Sequence, residues 1–276
     1  MPDDGLTERL LRRERAILLA AIAAVFAIAC LYTVFGVGMT LSAVEMTAMT
    51  GKTPMGMAAS LTMPANWSVT YAILVFFMWW VMMIAMMLPS ASPTILLYMA
   101  LLRRRETVEP PTILATVFLT GYLAVWAAFS ALATALQWTL ELRGLVSPMM
   151  MTLTSGFLAG TVLIAAGIYQ FSSIKEVCLD HCRSPMQFLV ERRRSGLSGA
   201  CLMGIEHGAF CLGCCWFLMV VLFAGGIMNL YWIAGLAIFV TFEKLAPAGR
   251  QLSRMAGIVL IGGGLWMLSQ AIIPLS

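Results

Sequence analysis

Long apolar segments are the sequence feature that most restricts the fold of this chain. A helix needs about 20 mostly apolar residues to cross a hydrocarbon core of about 30 Å. Seven segments meet this requirement, at roughly residues 16–38, 70–102, 111–140, 148–174, 199–224, 227–245 and 255–274. The two-residue alternation of a β-barrel strand is missing, so we predict an all-α, polytopic membrane helix bundle of about seven transmembrane helices. The breaks between the segments are too short for a separate soluble domain, so residues 1–276 form a single predicted transmembrane domain.

The composition excludes several classes of protein. Hydrophobic residues make up 61% of the chain and charged residues only 11%, whereas about 25% of an average soluble domain is charged. Such a chain cannot cover a water-soluble surface, which excludes an ordinary soluble enzyme and a nucleic-acid-binding domain. The lipid bilayer is the expected partner of most of the surface, and no nucleic acid is expected to bind.

The positions of the cations predict the orientation in the membrane. If seven spans start from a cytoplasmic N-terminus, 15 of the 17 lysines and arginines lie on the inner side, and only Lys52 and Arg143 lie outside. An excess of cations in the cytoplasmic loops is typical of membrane proteins. We therefore predict a multi-pass membrane protein with a cytoplasmic N-terminus.

Cysteine and histidine form a stripe on the fifth predicted span. Each residue of a helix advances by about 100°, which places His207, Cys211, Cys214 and Cys215 within one arc of about 100°. Three thiols and an imidazole on one face are candidate metal ligands. The stripe is about 12 Å long, more than one ion can reach with bonds of about 2.0–2.3 Å. Either two sites lie along it, or another helix completes the ligand set of one ion.

A second cysteine pair lies at the inner end of the fourth span. Cys178 and Cys182 are four residues apart and share a face if the helix continues. A reducing cytosol would keep them as thiols. Metal binding is favoured, and redox exchange or the absence of any role are the alternatives.

Methionine is abundant, with 22 residues. Met78, Met82 and Met86 are spaced four apart on the second span, with Met83 and Met87 beside them, and form a predicted secondary metal path. Pro89 and Pro93 follow, and proline kinks helices. Ten more methionines lie on the predicted outer side: Met39, Met46, Met49, Met55, Met57, Met63, Met149, Met150, Met151 and Met228. Thioether sulfur is a soft ligand that suits Cu(I), and adaptable packing is the alternative.

Charged residues in the inner half of the membrane are candidate charge partners of this site. They are Glu206, Glu243, Lys244 and Lys175. Intramembrane charges are costly and are usually paired or functional. We expect a Glu206–Lys244 or a Glu243–Lys244 pair, which could stabilise a cation or carry a proton.

Pairs of glycines four residues apart predict close helix contacts. Gly204 and Gly208 flank His207 on the fifth span, and Gly156 and Gly160 lie on the fourth. Small residues at this spacing let helix backbones approach each other. We expect these pairs to bring the fourth and fifth spans together.

Three elements of the sequence carry a resemblance to a known family. They are Met83-Ile84-Ala85-Met86-Met87-Leu88-Pro89-Ser90, the Lys175, Cys178 and Cys182 element, and Cys211-Leu212-Gly213-Cys214-Cys215-Trp216. From about Trp79 to Lys244 the chain resembles the bacterial family labelled predicted metal-binding integral membrane proteins, a family of unknown function. The resemblance implies metal binding in a bacterial inner membrane and assigns no metal, reaction or direction.

Three functions remain open from the sequence. In the first, the protein binds a soft transition metal at the His/Cys site and moves or delivers it across the inner membrane. Cu(I) is favoured, with Zn or Fe as alternatives, and the partners would be the metal ion and a soluble metal-delivery protein or a second copy. In the second, the same cysteines serve an intramembrane metalloenzyme or thiol oxidoreductase. In the third, the chain is a structural subunit of a membrane complex.

Overall fold

The computed structural model describes residues 4–35, 42–50, 67–103, 109–148 and 151–272. This part of the chain is almost entirely helical and contains one isolated β-bridge, between Val146 and Leu153. The helices in chain order are α1 (Asp4–Phe35), α2 (Ala43–Thr50), α3 (Val69–Arg103), α4 (Pro111–Leu142), α5 (Gly156–Tyr169), α6 (Ser173–Arg183), α7 (Pro185–Glu191), α8 (Gly196–Val220), α9 (Leu222–Gly225), α10 (Leu230–Leu245) and α11 (Gly249–Ile272). The all-α prediction is confirmed for these residues.

Helix α3 is the central element of the bundle. It contacts α1, α4 and α10, and residues around its whole circumference are buried. It continues through Pro89 and Pro93. Since Pro93 has no N–H, the carbonyl oxygen of Pro89 loses its helical donor, and the Ser92 hydroxyl donates to that oxygen over 2.9 Å instead. This local replacement satisfies the carbonyl that Pro93 leaves without a donor.

Glycines set two close helix contacts, and these differ from the predicted ones. A methyl group at Gly204 would overlap the carbonyl oxygen of Phe118 on α4, and one at Gly208 would lie 2.9 Å from a methyl of Val125. Gly160 of α5 faces α11, where the added carbon would lie 2.8 Å from the Gly264 oxygen. The expectation that these glycines join the fourth and fifth spans is therefore wrong. They join α8 to α4 and α5 to α11, because each glycine face meets a neighbour that is distant in sequence.

The cysteine pair of the fourth span reaches α8 by another route. The chain bends by 63° between α5 and α6, and the Ser172 side chain caps α6 by accepting a hydrogen bond from the Lys175 N–H. Helix α6 then packs against α8. The bend thus turns the Cys178–Cys182 face toward the cysteine stripe.

Four helical segments of the described residues are long and apolar enough to cross a membrane: Val69–Arg103, Pro111–Leu142, Gly196–Gly225 and Gly249–Ala271. The bent α5–α6 pair would count as a fifth. The apolar part of α1, Leu19–Phe35, is shorter, and α10 has 16 residues, fewer than the roughly 20 of a perpendicular span. Length and composition therefore support four or five of the seven predicted spans.

Candidate metal site

Helix α8 turns its histidine and cysteine stripe into the protein. His207 is 4% exposed, Cys211 is 1% exposed, and Cys214 and Cys215 are fully buried. The close glycine contact with α4 holds this face against neighbouring helices. The four candidate ligands therefore lie in a region from which water is excluded.

The thiol of Cys211 meets two polar side chains from other helices. The Tyr122 hydroxyl of α4 lies 3.1 Å from its sulfur, and the Lys244 ammonium of α10 donates to the same sulfur over 2.9 Å. Lys244 is only 6% exposed, and its other hydrogen bond goes to the Ser90 hydroxyl at 3.3 Å. Among the described residues no carboxylate pairs with Lys244. A buried ammonium needs a counter-charge, and the group in direct contact that can supply one is the thiol.

Cys215 brings the stripe into contact with methionine. Its sulfur lies 3.8 Å from the Met87 sulfur of α3. The Cys214 and Cys215 thiols also donate to the Cys211 carbonyl oxygen, over 3.0 and 2.9 Å. These two thiols are thus turned toward their own helix backbone.

The second cysteine pair lies beside the first group. The thiols of Cys182 and Cys214 are close enough to interact. Cys178 packs against the backbone of α8 at Gly213, where an added carbon would lie 2.6 Å from its sulfur. Two helices, α6 and α8, and the Met87 turn of α3 therefore contribute to one sulfur-rich region, which we call the sulfur cluster: Met87, Cys178, Cys182, Cys211, Cys214 and Cys215.

His207 has aromatic neighbours. Its ring centre lies 5.9 Å from that of Phe118, 5.8 Å from Tyr122 and 5.6 Å from Phe188. Within the described ranges no group of three or more His, Cys, Asp or Glu side chains converges in a way that could hold a metal ion. The physical reason is the length of the stripe and the orientation of the thiols toward the backbone. A metal at the cluster would first have to turn these side chains.

The predicted methionine path is buried throughout. Met82, Met83, Met86 and Met87 have no exposed surface, and Met78 is 2% exposed. Because α3 is surrounded by other helices, this burial is expected whether the methionines only pack or also form a metal path. Of the outer methionines, Met46, Met151 and Met228 are buried. The others named above fall outside the described residues, apart from Met49, whose backbone alone is described.

The buried charges pair differently from the expectation. Lys175 and Glu243 form an ion pair of 2.7 Å, with side chains 1% and 0% exposed. Glu206 instead pairs with Arg194 over 2.7 Å near the surface. Both expected pairs of Lys244 are therefore absent from the described residues. Glu243 adjoins Lys244 in sequence, but neighbouring side chains leave a helix in different directions.

Two residues of the region were not identified from the sequence. Tyr122 is far from the cysteines in the chain, and only the α4–α8 contact brings it to Cys211. Ser90 is the last residue of the Met83–Ser90 element that carries the family resemblance. The sequence did not indicate that the Ser90 side chain contacts Lys244.

The fold and the cluster together define an all-α protein that has membrane-length helices and a buried centre rich in soft ligands. The comparison with known families is consistent with this class. Residues 76–267 match the family described as PpoB2, copper chaperone, and the chain belongs to this family. No curated protein and no solved structure matches the chain. Family membership supports the copper-related role that the sequence predicts.

Proposed function

We propose that this protein is a membrane-embedded copper chaperone that receives Cu(I) at the sulfur cluster and delivers it toward the cytoplasmic end of the bundle. The observation that carries the proposal is the meeting of the Met87 thioether with the Cys215 thiol, 3.8 Å apart, beside Cys211. Thiolate and thioether sulfur favour Cu(I) over harder ions. This meeting joins two helices in a dry interior, where a monovalent ion with few ligands can be held.

The orientation of the thiols supports a low coordination number. Structural Zn²⁺ takes four tetrahedral ligands, and the described residues offer no converging group of three. Binding removes the thiol protons, so Cys215 would lose its hydrogen bond to the Cys211 carbonyl. The Cys215 thiolate could then turn toward the Met87 sulfur and share the ion with the Cys211 thiolate. Two thiolates and one thioether are a ligand set that Cu(I) accepts more readily than Zn²⁺.

Charge balance supports the same metal. Lys244 supplies one positive charge at the cluster. With Cu(I) and two thiolates the total charge is zero, whereas a divalent ion with the same two thiolates leaves one positive charge buried. Burying net charge is costly. A site built around an ammonium and two thiolates therefore discriminates against divalent ions.

The proposed route runs through the buried sulfur atoms. Met78, Met82 and Met86 would lead from the outer side to Met87, and the contact between Cys214 and Cys182 would lead on to α6. The distribution of cations makes the α6 end cytoplasmic, if the chain has seven spans and a cytoplasmic N-terminus in a bacterial inner membrane. A soluble protein that takes copper at this end is the proposed recipient.

The decisive experiment is metal analysis of full-length protein purified anaerobically. Copper is expected to copurify, and the Cys211→Ser and Cys215→Ser variants are expected to lose it. Cys201→Ser is a matched control, because Cys201 lies on the same helix but outside the cluster. Wild-type protein that takes up no copper, or a control that loses as much as the cluster variants, would refute the proposal. Copper uptake into sealed vesicles then separates transport from binding and delivery.

One contact favours a second function, a thiol oxidoreductase. Cys182 and Cys214 come from different helices and their thiols are close enough to interact, so this pair could exchange with a disulfide of a substrate protein. Both thiols would be oxidised while the substrate disulfide is reduced. Under this alternative Cys182→Ser would abolish disulfide reduction and leave the copper content unchanged.

A further inference from the structure

A cavity of about 370 Å³ lies apart from the sulfur cluster, where the bend between α5 and α6 meets the first turns of α11. Its lining includes Gln170, Ser172, Lys175, Ser253 and Arg254. Its volume is in the range of small-ligand sites, about 300–1,000 Å³. Neither copper binding nor helix packing accounts for it.

The cavity wall contains a buried donor that lacks an acceptor. Gln170 is 5% exposed. Its amide oxygen accepts a hydrogen bond from the Ser253 hydroxyl at 3.1 Å, and its amide nitrogen has no partner among the described residues. Buried polar groups of proteins almost always have a partner. The unmatched nitrogen therefore indicates an acceptor that enters the cavity.

The donors of the wall favour an anion as that acceptor. Arg250 is already bound, with Asp180 at 2.6 Å and Glu176, which also lines the cavity, at 3.4 Å. Lys175, which is 1% exposed, pairs with Glu243. Arg254 also lines the cavity, and no carboxylate of the described residues pairs with it. The donors left for a ligand are therefore the Arg254 guanidinium, which has no direct ion pair, and the Gln170 amide.

We propose that this cavity binds a phosphate group, either of an anionic phospholipid or of a soluble phosphate compound. A phosphate has several strong acceptor oxygens, and guanidinium and amide donors match it well. Basic pockets between helices near the cytoplasmic surface are known places for anionic head groups. The neighbouring Phe171 and Ile174 side chains are 51% and 66% exposed, so acyl chains could pack beside the head group.

The cavity is preformed by close backbone packing. A carbon added at Gly257 of α11 would lie 2.6 Å from the Phe171 ring and 3.0 Å from the Gln170 side chain. The two walls therefore keep a short separation. A phosphate bound between them would hold the α5–α6 bend to α11, which predicts that binding raises thermal stability.

The test uses full-length protein stripped of lipid and measures binding by native mass spectrometry and by thermal stability. One arm adds phosphatidylglycerol, with phosphatidylcholine as the uncharged comparison, and the other adds inorganic phosphate. Arg254→Gln is expected to weaken binding about tenfold or more, the usual effect of losing one charge-assisted hydrogen bond. Arg193→Gln removes an equal charge from an exposed arginine at the same end of the bundle, outside the cavity, and is expected to bind like the wild type.

The outcomes distinguish a lipid head group from a soluble phosphate compound and test the proposal itself. Retention of phosphatidylglycerol that depends on Arg254, without an effect of inorganic phosphate, assigns the cavity to a lipid head group. The reverse pattern assigns it to a soluble phosphate compound. If Arg254→Gln does not fold, Gln170→Glu replaces the amide donor by an acceptor and is expected to abolish binding. Binding of neither probe, or equal loss in Arg254→Gln and Arg193→Gln, overturns the inference whatever the copper content is.

Discussion

Replacement of Lys244 by leucine tests the charge balance of the proposed copper site. The Lys244 ammonium lies 2.9 Å from the Cys211 sulfur and is 6% exposed. Leucine has no charge and no sulfur, so the substitution removes the ammonium without adding a copper ligand and keeps the site apolar. We expect the variant to bind Cu(I) more weakly and to remain folded.

The size of the effect follows from Coulomb's law. A Cu(I) ion bound by two thiolates carries one negative charge, which would lie about 4 Å from the ammonium. At an effective dielectric constant of about 20, the attraction is roughly 4 kcal/mol. Each 1.4 kcal/mol is a factor of about ten in affinity, so the dissociation constant for Cu(I) should rise by about two to three orders of magnitude.

Without copper, the stability of the protein should not fall with the substitution, although its copper affinity does. Replacing buried ionic groups by apolar ones is often neutral or stabilising, by about 1–4 kcal/mol. The Lys244→Leu variant should therefore unfold at the same temperature as the wild type or at a higher one when no copper is present. This response distinguishes the loss of a charge from misfolding.

Anaerobic competition with a chromogenic Cu(I) chelator measures the affinity, and zinc competition measures the selectivity. Zn²⁺ bound by two thiolates is neutral, so the ammonium does not attract this complex. Removal of the ammonium should therefore lower the Zn²⁺ affinity less than the Cu(I) affinity. A Cu(I) affinity within about threefold of the wild type, a difference of under 1 kcal/mol, would refute the charge argument.

A second buried lysine provides the control. Lys175→Leu removes an ammonium that pairs with Glu243 rather than with a thiol. It leaves a carboxylate buried without its partner, which typically costs about 3–5 kcal/mol. This variant should lose stability and keep its copper affinity, the opposite of the result expected for Lys244→Leu.

Three further predictions concern the ligands and the packing. Met87→Leu keeps the side-chain volume and removes the thioether, so unfolding should change by less than about 1.5 kcal/mol, while competition assays should show Cu(I) affinity about tenfold lower. Gly204→Ala should destabilise the protein by about 1–3 kcal/mol in denaturation assays, because the new methyl group would overlap the Phe118 carbonyl. Gly235→Ala has open space around the new carbon, and helix propensity predicts a gain of about 0.5–1 kcal/mol; a loss there would contradict the packing analysis.

The helices were predictable because hydropathy is a local property. The apolar segment predicted at residues 70–102 corresponds to α3 at Val69–Arg103, and that at 111–140 to α4 at Pro111–Leu142. The fourth segment was less predictable, since the chain bends by 63° after Tyr169 and α6 continues at a new angle. A hydropathy average does not detect such a bend. The bend depends on the Ser172 cap and on the packing of α6 against α8.

The stripe of the candidate site was predictable for the same reason. Residues spaced three and four apart share a helix face whatever surrounds them, and the face that carries His207, Cys211, Cys214 and Cys215 is buried. The glycine pairs were also recognisable as contact points, but their partners were not. A small residue indicates that a backbone can approach and does not identify which one.

The sequence by itself thus determined the all-α class, the apolar segments and the alignment of the cysteines on one face, since each depends on residues close together in the chain. Only the tertiary structure decided the partners: Met87 with Cys215, Lys244 with Cys211, and Lys175 rather than Lys244 with Glu243. The contacts of Met87 with Cys215 and of Lys244 with Cys211 join residues that are distant in sequence. Lys244 and its neighbour Glu243 point toward different helices. These contacts depend on which helices pack together and at what rotation, and local periodicity carries no information about either.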